Sequence, residues 1–445
     1  MTCAVLDGAP GTGHIDLCHY SAGASLLLNM NRPNDVEAYI ARAEADAVKI
    51  PGLENVRPRG IASAGVIGGG TMGRGIATAL LCAEIPVTLI ERDPATLERA
   101  IAEITSIIER NVTTRRMSAD EAARAIKHLT TANEIEALEK SDLVIEAAYE
   151  TMAVKQDIFS RLDRIARKGA ILASNTSYLD VLEIASSTSR PQDVLGMHFF
   201  SPAHIMKLLE VVRTSATAPD ALATAISVGL RIGKKPVVAG NAYGFIGNRM
   251  LAIRRHEAEA IILEGVTPDR VDQVVENFGF RMGPFRMGDL AGLDLGWTRD
   301  TSTGATVRER LCEAGRRGQK TGKGFFDYDD QRKPVVSPEA MDIIAGLAAD
   351  KGIARREWSD DSILDRMVLP MIDEAAKILA EGIAARESDI DVVWLHGYNW
   401  PRHTGGPMHY ARTLGLDTIC ARLKAMGRTP SDQLRKLLAA PQERQ

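Results

Sequence analysis

Between Ile61 and Gly240 the chain alternates short apolar runs with amphipathic stretches, and this alternation limits the fold more than any other feature of the sequence. ASAGVIG, PVTLIE, DLVIEA, AILAS, DVLGMHF and, at 235–240, KPVVAG read as strands, with helical spacing between them. Strands separated by helices pair in parallel through crossovers, so the segment predicts a parallel sheet covered by helices. After Gly240 the strands stop. Long helical patterns take over, beginning with FIGNRMLAIRRHEAEAIILEGV.

The helical part repeats itself. NRMLAIRRHEAEAIILEGV at 248–266 returns as DRMVLPMIDEAAKILAEGI at 365–383, and Gly283-Pro284 and Gly292-Leu293-Asp294 recur as Gly406-Pro407 and Gly415-Leu416-Asp417. Two copies of one helical unit follow, separated by a polar stretch near 330–360. Ahead of the sheet, 34–50 predicts a linker helix: Asn34 can cap it, Val36, Ile40, Ala43 and Ala47 form its apolar stripe, and Pro51-Gly52 ends it. The acidic residues on or just after it, Asp35, Glu37, Glu44, Asp46 and Glu54, are expected at solvated positions. The expected organisation is an N-terminal segment with the linker helix (1–58), an α/β domain (59–240) and two all-helical domains (241–345 and 355–445), in keeping with about 150 residues per domain.

Charge is spread along the chain: the net value is −4 and no basic block stands out, so nucleic acid and membrane surfaces are not expected partners. The start, MTCAVLDGAPGTGH, has neither the basic nor the apolar region of a secretory signal, and no run approaches the ~18 apolar residues of a membrane span, which predicts a cytosolic location. Five cysteines, Cys3, Cys18, Cys82, Cys312 and Cys420, show no disulfide-like or metal-like spacing. They suit a reducing compartment, and no metal site is expected.

Gly68-Gly69-Gly70-Thr71-Met72-Gly73 follows the first strand and opens the helix RGIATALLCAE. In that context Gly68 permits a tight turn, Gly70 lets backbone approach a pyrophosphate, and Gly73 lets helix and strand pack closely, with the phosphate charge at the helix N-terminus. Thr71 and Met72 belong to the same cradle. Glu91 ends the second strand about 20 residues on, where a carboxylate can accept hydrogen bonds from both ribose hydroxyls. A Rossmann-type, doubly wound dinucleotide domain is the consequence. A carboxylate there repels a 2'-phosphate, so NAD is expected over NADP; the adjacent Arg92 reads as a solvated surface residue.

Three further motifs, SNTSYL at 174–179, GMHFFSPAHIMKLLEVV at 196–212 and GFIGNRML at 244–251, are followed by GPFRMGDLAGLDLGW at 283–297 and GQKTGKGFFDYD at 318–329. In this order they resemble the 3-hydroxyacyl-CoA dehydrogenase family, in its peroxisomal-type multifunctional branch, over about residues 35–440. The resemblance implies an acyl-CoA substrate and NAD-linked oxidation of its 3-hydroxyl in fatty acid β-oxidation. Such a reaction needs a base that titrates near neutrality, which histidine supplies, and a carboxylate that fixes the tautomer and stabilises the imidazolium.

Spacing alone does not separate His198 from His204, since both stand shortly before Glu210. The resemblance assigns the base to His198 and the partner to Glu210. It also implies that Ser177 and Asn248 hydrogen-bond the substrate oxygen, and that Glu150, Lys155, Ser201 and Lys320 contact the cofactor; Ser177 can at the same time cap a helix. Ser201 stands where many relatives have asparagine, although the peroxisomal-type enzymes also carry HFFSP. Arg110, Arg115 and Arg116 are candidates for the CoA phosphates, or a solvated helix face.

The second repeat has Asp365 where the first has Asn248, so no second active site is expected. Single-repeat relatives dimerise through this helical unit, and a tandem copy can bury the same face internally, which predicts a monomer. Residues 1–33 are too few for the hydratase domain of multifunctional relatives; oxidation without hydration of 2-enoyl-CoA is the expectation. Competing readings are a dehydrogenase of a free hydroxy acid and a catalytically idle binding protein on the same fold.

Overall fold

The computed structural model describes residues 33–440. The expectations for Cys3 and Cys18 lie outside the described residues. One sheet of eight strands forms the first layer: β1 (Ala64–Ile67), β2 (Val87–Ile90), β3 (Leu129–Ala132), β4 (Leu143–Glu146), β5 (Ile171–Ser174), β6 (Val194–Phe199), β7 (Leu208–Arg213) and β8 (Lys235–Gly240), in the spatial order 3-2-1-4-5-6-7-8. The order reverses between β1 and β4, which defines the crevice where such sheets take ligands.

All six strands expected from the sequence are present, and two more join them. β3 is an edge strand, LTTA, half-polar and only partly buried, so no apolar run marks it. β7 pairs antiparallel with β6, whereas every other neighbouring pair is parallel. The expectation of a purely parallel sheet is corrected by chain length: 200–207 is too short for a crossover helix, so the chain turns straight back.

The helices that position the site are α1 (Pro33–Asp46), α2 (Thr71–Cys82), α3 (Gly247–Leu263), α4 (Pro268–Phe278), α5 (Pro284–Ala291), α6 (Pro338–Asp350), α7 (Asp360–Ala380), α8 (Glu387–Gly397) and α9 (Pro407–Leu414). α3 to α5 form the first helical unit and α7 to α9 the second. The polar stretch expected between them holds α6, which buries Ala340, Ile344 and Leu347. The first unit is not wholly helical either, because Phe326–Tyr328 and Pro334–Val336 pair as an antiparallel ribbon.

The two units grip each other by an exchange of identical partners. Arg249 at the start of α3 pairs with Glu374 (2.6 Å) and Glu381 (2.6 Å) of the second copy. Arg366, its repeat counterpart, pairs with Glu257 (2.8 Å) and Glu264 (3.0 Å) of the first. Within each unit the repeat also keeps one cap: Asp272 accepts hydrogen bonds from the backbone N–H groups of Phe285 and Arg286, and Asp391 from those of Met408 and His409. Both units share one hydrophobic core, to which α1 adds Val36, Ile40, Ala43 and Ala47.

α1 begins at Pro33, so Asn34 sits inside the helix and not at its cap. Its acidic residues are not uniformly solvated. Glu44 bonds His396 (2.8 Å) and Lys235 (2.5 Å), tying the second helical unit to β8, and the Tyr39 hydroxyl donates to Asp391 (2.5 Å). Glu37 pairs with Arg402 at the surface. No helix among the described residues is long and apolar enough to cross a membrane.

Candidate active site

The parallel strands β1, β2, β4, β5 and β6 all end at one edge of the sheet, and the sequence-predicted groups emerge there in turn. After β1, Gly68 takes φ +105°, and a Cβ on it would meet the Ala147 carbonyl at 2.7 Å. Gly73 packs so closely that a Cβ would lie 1.8 Å from the Gly68 carbonyl oxygen. A Cβ on Gly70 would meet nothing within 4 Å: this side of the turn is open, as backbone contact with a pyrophosphate requires. Thr71 and Met72 form the first turn of α2, whose N–H groups face the same opening.

The Glu91 carboxylate sits beside this turn, accepting from the Gly69 N–H (2.8 Å) and the Asp93 N–H (3.0 Å). A carboxylate offers about four acceptor positions, so capacity remains for ribose hydroxyls. The residues present therefore fit a dinucleotide.

After β4 and β5 the acidic and hydroxyl groups lock together, and each residue of Ser174-Asn175-Thr176-Ser177 has a partner. The Ser174 hydroxyl donates to Glu146 (2.7 Å), the Asn175 side-chain oxygen accepts from the Phe199 N–H (2.9 Å), and the Thr176 hydroxyl donates to Glu150 (2.6 Å). The Ser177 N–H donates to the same Glu150 oxygen (2.7 Å). Lys155, only 1% exposed, is enclosed by Glu146 (2.8 Å) and Glu150 (3.3 Å). Burial pushes the Glu150 carboxyl up, but the Lys155 charge and the bonds from Thr176 and Ser177 outweigh it and leave it below the usual range.

Lys155 is thus not a surface charge; it reaches the crevice through the carboxylate that braces the Ser177 turn. Lys320, also implied as a cofactor contact, lies in the first helical unit and pairs with Asp294 (2.6 Å). The structure does not gather it with the glycine turn. Ser201 is exposed at the start of the β6–β7 loop.

At the end of β6 the antiparallel register sets His198 directly opposite Glu210 of β7. Nδ1 of His198 lies 2.8 Å from Glu210 Oε2, and Nε2 lies 3.2 Å from the Ser177 hydroxyl. His198 is 4% exposed and Glu210 is fully buried, so the pair is shielded from water. The other Glu210 oxygen accepts from the Ile246 and Gly247 N–H groups (3.2 and 3.1 Å), presented by a left-handed turn at Gly244 (φ +74°) and Phe245 (φ +49°).

With three donors on the carboxylate, the imidazole proton belongs on Nδ1, and Nε2 is left as the acceptor facing Ser177. Asn248 follows Gly247 at the start of α3, beside the pair. His204 sits apart in the β6–β7 loop, where burial and the charges of Lys234 and Arg110 hold it below the usual histidine range.

Sequence reasoning passed over Glu146, which holds Lys155 and Ser174, and Tyr398 from the second helical unit, whose hydroxyl donates to Asn248 Oδ1 (3.0 Å). The apolar strand ending in Glu146 carried a legible signal: a lone acidic residue closing a fully buried run.

A glycine cradle at the switch point and a histidine–carboxylate pair two strands away describe an NAD-binding oxidoreductase. Residues 63–242 match the model of the 3-hydroxyacyl-CoA dehydrogenase NAD-binding domain, and 244–328 with 363–442 match that of the 3-hydroxyacyl-CoA dehydrogenase C-terminal domain. The peroxisomal bifunctional enzyme of Homo sapiens is 42% identical over 433 residues, which cover 90% of this chain and 60% of that protein. Among solved structures, 3-hydroxybutyryl-CoA dehydrogenase from Escherichia coli K12 superposes with a TM-score of 0.72 at 27% identity, covering 85% of this chain and 98% of that one. The dehydrogenase part of multifunctional enzyme 1 from C. elegans gives 0.64 at 28% identity, covering 90% and 96%.

The chain belongs to the 3-hydroxyacyl-CoA dehydrogenase family, and NAD is its cofactor. It spans about 60% of the length of the curated relatives named peroxisomal bifunctional enzyme.

Proposed function

We propose that this chain oxidises (S)-3-hydroxyacyl-CoA to 3-oxoacyl-CoA with NAD in fatty acid β-oxidation. The observation that carries the reading is the His198–Glu210 pair, with Nε2 aimed at the Ser177 hydroxyl at the open sheet edge. The substrate's 3-hydroxyl docks beside Ser177 and Nε2, within hydrogen-bond reach of both, and its proton passes to Nε2 as the carbonyl forms. Glu210 stabilises the imidazolium without taking the proton. The bound nicotinamide supplies the acceptor for the hydride from C3. Ser177 and Asn248 are neutral donors that stabilise charge on the substrate oxygens without neutralising the base.

Glu150 and Lys155 support this site by fixing the Ser177 turn, and Glu91 favours NAD over NADP by charge. Lys320 and Ser201 are left as cofactor contacts by resemblance alone. Free thiols at Cys82, Cys312 and Cys420 suit the reducing cytosol proposed for the chain, although several curated relatives are named peroxisomal or glyoxysomal.

The test is the rate of NADH formation with 3-hydroxyacyl thioesters of CoA against the matching free 3-hydroxy acids. Turnover of the thioester alone is expected; equal or faster turnover of the free acid overturns the substrate assignment.

A further inference from the structure

Tyr398 lies at the end of α8 in the second helical unit, yet its hydroxyl donates to Asn248 Oδ1 in the first unit at 3.0 Å. The residue is 7% exposed, stacks on Trp394 (ring centroids 4.6 Å) and meets Phe200 edge-on (5.5 Å), and Phe200 in turn lies 4.5 Å from the His198 ring. Its fit is tight enough that a Cβ on Gly247 would strike the ring at 2.4 Å. We propose that Tyr398 is a positioning residue for Asn248, so that the degenerate second repeat completes the active site of the first. The proposal rests on the reading of Asn248 as a donor to the substrate oxygen.

An asparagine amide carries an acceptor at Oδ1 and donors at Nδ2, and only its surroundings decide which end faces a ligand. Among the described residues Asn248 is the hydrogen-bond partner of the Tyr398 hydroxyl, and reversing the amide would leave a buried O–H without an acceptor. The hydroxyl therefore engages Oδ1 and leaves the two Nδ2 donors available to a ligand. Burial, together with the nearby charge of Glu210, pushes the phenol far above its ordinary range, so it remains a donor at every working pH.

The repeat shows that this contact is not a leftover of duplication. The turn after α4 reads Phe278-Gly279-Phe280 and the turn after α8 reads Tyr398-Asn399-Trp400, with Gly279 and Asn399 both left-handed (φ +119° and +53°). Tyr398 is thus the counterpart of Phe278, and Asn248 of Asp365. The hydroxyl and the amide occur only in the pairing that reaches the His198 side. The duplicated unit differs at both positions, whereas the Arg249 and Arg366 exchanges are kept alike.

The test is a double-mutant cycle with Tyr398→Phe and Asn248→Ala in the otherwise intact chain, reading kcat/KM for a 3-hydroxyacyl-CoA and using NADH binding to verify that each variant is folded. Tyr398→Phe is expected to lower kcat/KM about tenfold in the native background and less than about twofold when Asn248 is already alanine. An equal loss in both backgrounds, or no loss in the native one, overturns the positioning role while leaving Asn248 as a substrate contact. No loss from Asn248→Ala by itself would instead remove the reading of Asn248 and this inference with it.

Discussion

We propose that the carboxylate just after β2, Glu91, sorts nicotinamide cofactors by charge. Glu91 is held beside the glycine turn by the Gly69 and Asp93 N–H groups, so it is oriented before any ligand arrives. Glu91→Ala removes the ribose acceptor and the repulsion together; NAD should bind about tenfold to a hundredfold more weakly, and discrimination against NADP should relax. Comparison of Kd for the two cofactors checks this, and unchanged selectivity would move the choice elsewhere, to Arg92 first. The placement of Glu91 beside the glycine turn was legible because that pattern is local in the sequence. The choice between His198 and His204 was not, since it depends on which residue a neighbouring strand places opposite Glu210. Lys155 and Lys320 show the same limit: a lysine's charge can be read from sequence, but its partners, Glu146 and Asp294, come from other elements.

At the scale of elements, the apolar runs marked six strands, and β3 and β7 were missed for separate reasons. β3 lacks a buried run, and β7 lies within a stretch already explained by its chemistry. The repeat was legible because α3 and α7 share a pattern, yet the exchanged ion pairs were not drawn from it, although Arg249, Glu257 and Glu264 recur in register as Arg366, Glu374 and Glu381. Burial makes the two halves unequal. Glu257 is 1% exposed and Glu381 50%. Arg366→Ala leaves a buried carboxylate with Arg428 as its remaining ion-pair partner and should destabilise the fold by about 3 kcal/mol, whereas Arg249→Ala should cost less, about 1 kcal/mol. Chemical denaturation of both variants checks the order, and equal losses would show that burial does not govern these pairs.

For the whole molecule, the exchange across the repeats means that each unit already has its partner within the chain. The shared core includes Ile261 and Ile262 from the first unit and Met371 and Ile372 from the second. Full-length protein should sediment as a monomer, and truncation near residue 355 should expose the apolar face of α3 and produce dimers or aggregates. A tight full-length dimer would show that the second unit does not stand in for a partner chain. The molecule thus places a sheet edge, a bracing network and two helical units around one imidazole, that of His198. The direct measurement is kcat for NADH formation from a 3-hydroxyacyl-CoA by the wild type, His198→Gln and His204→Gln, with NADH affinity measured alongside. His198→Gln should lower kcat by about 10² to 10⁴ with NADH binding nearly intact, and His204→Gln should stay within a few-fold of wild type. The reverse ranking, or a His198→Gln enzyme that turns over like the wild type, would contradict the role proposed for His198.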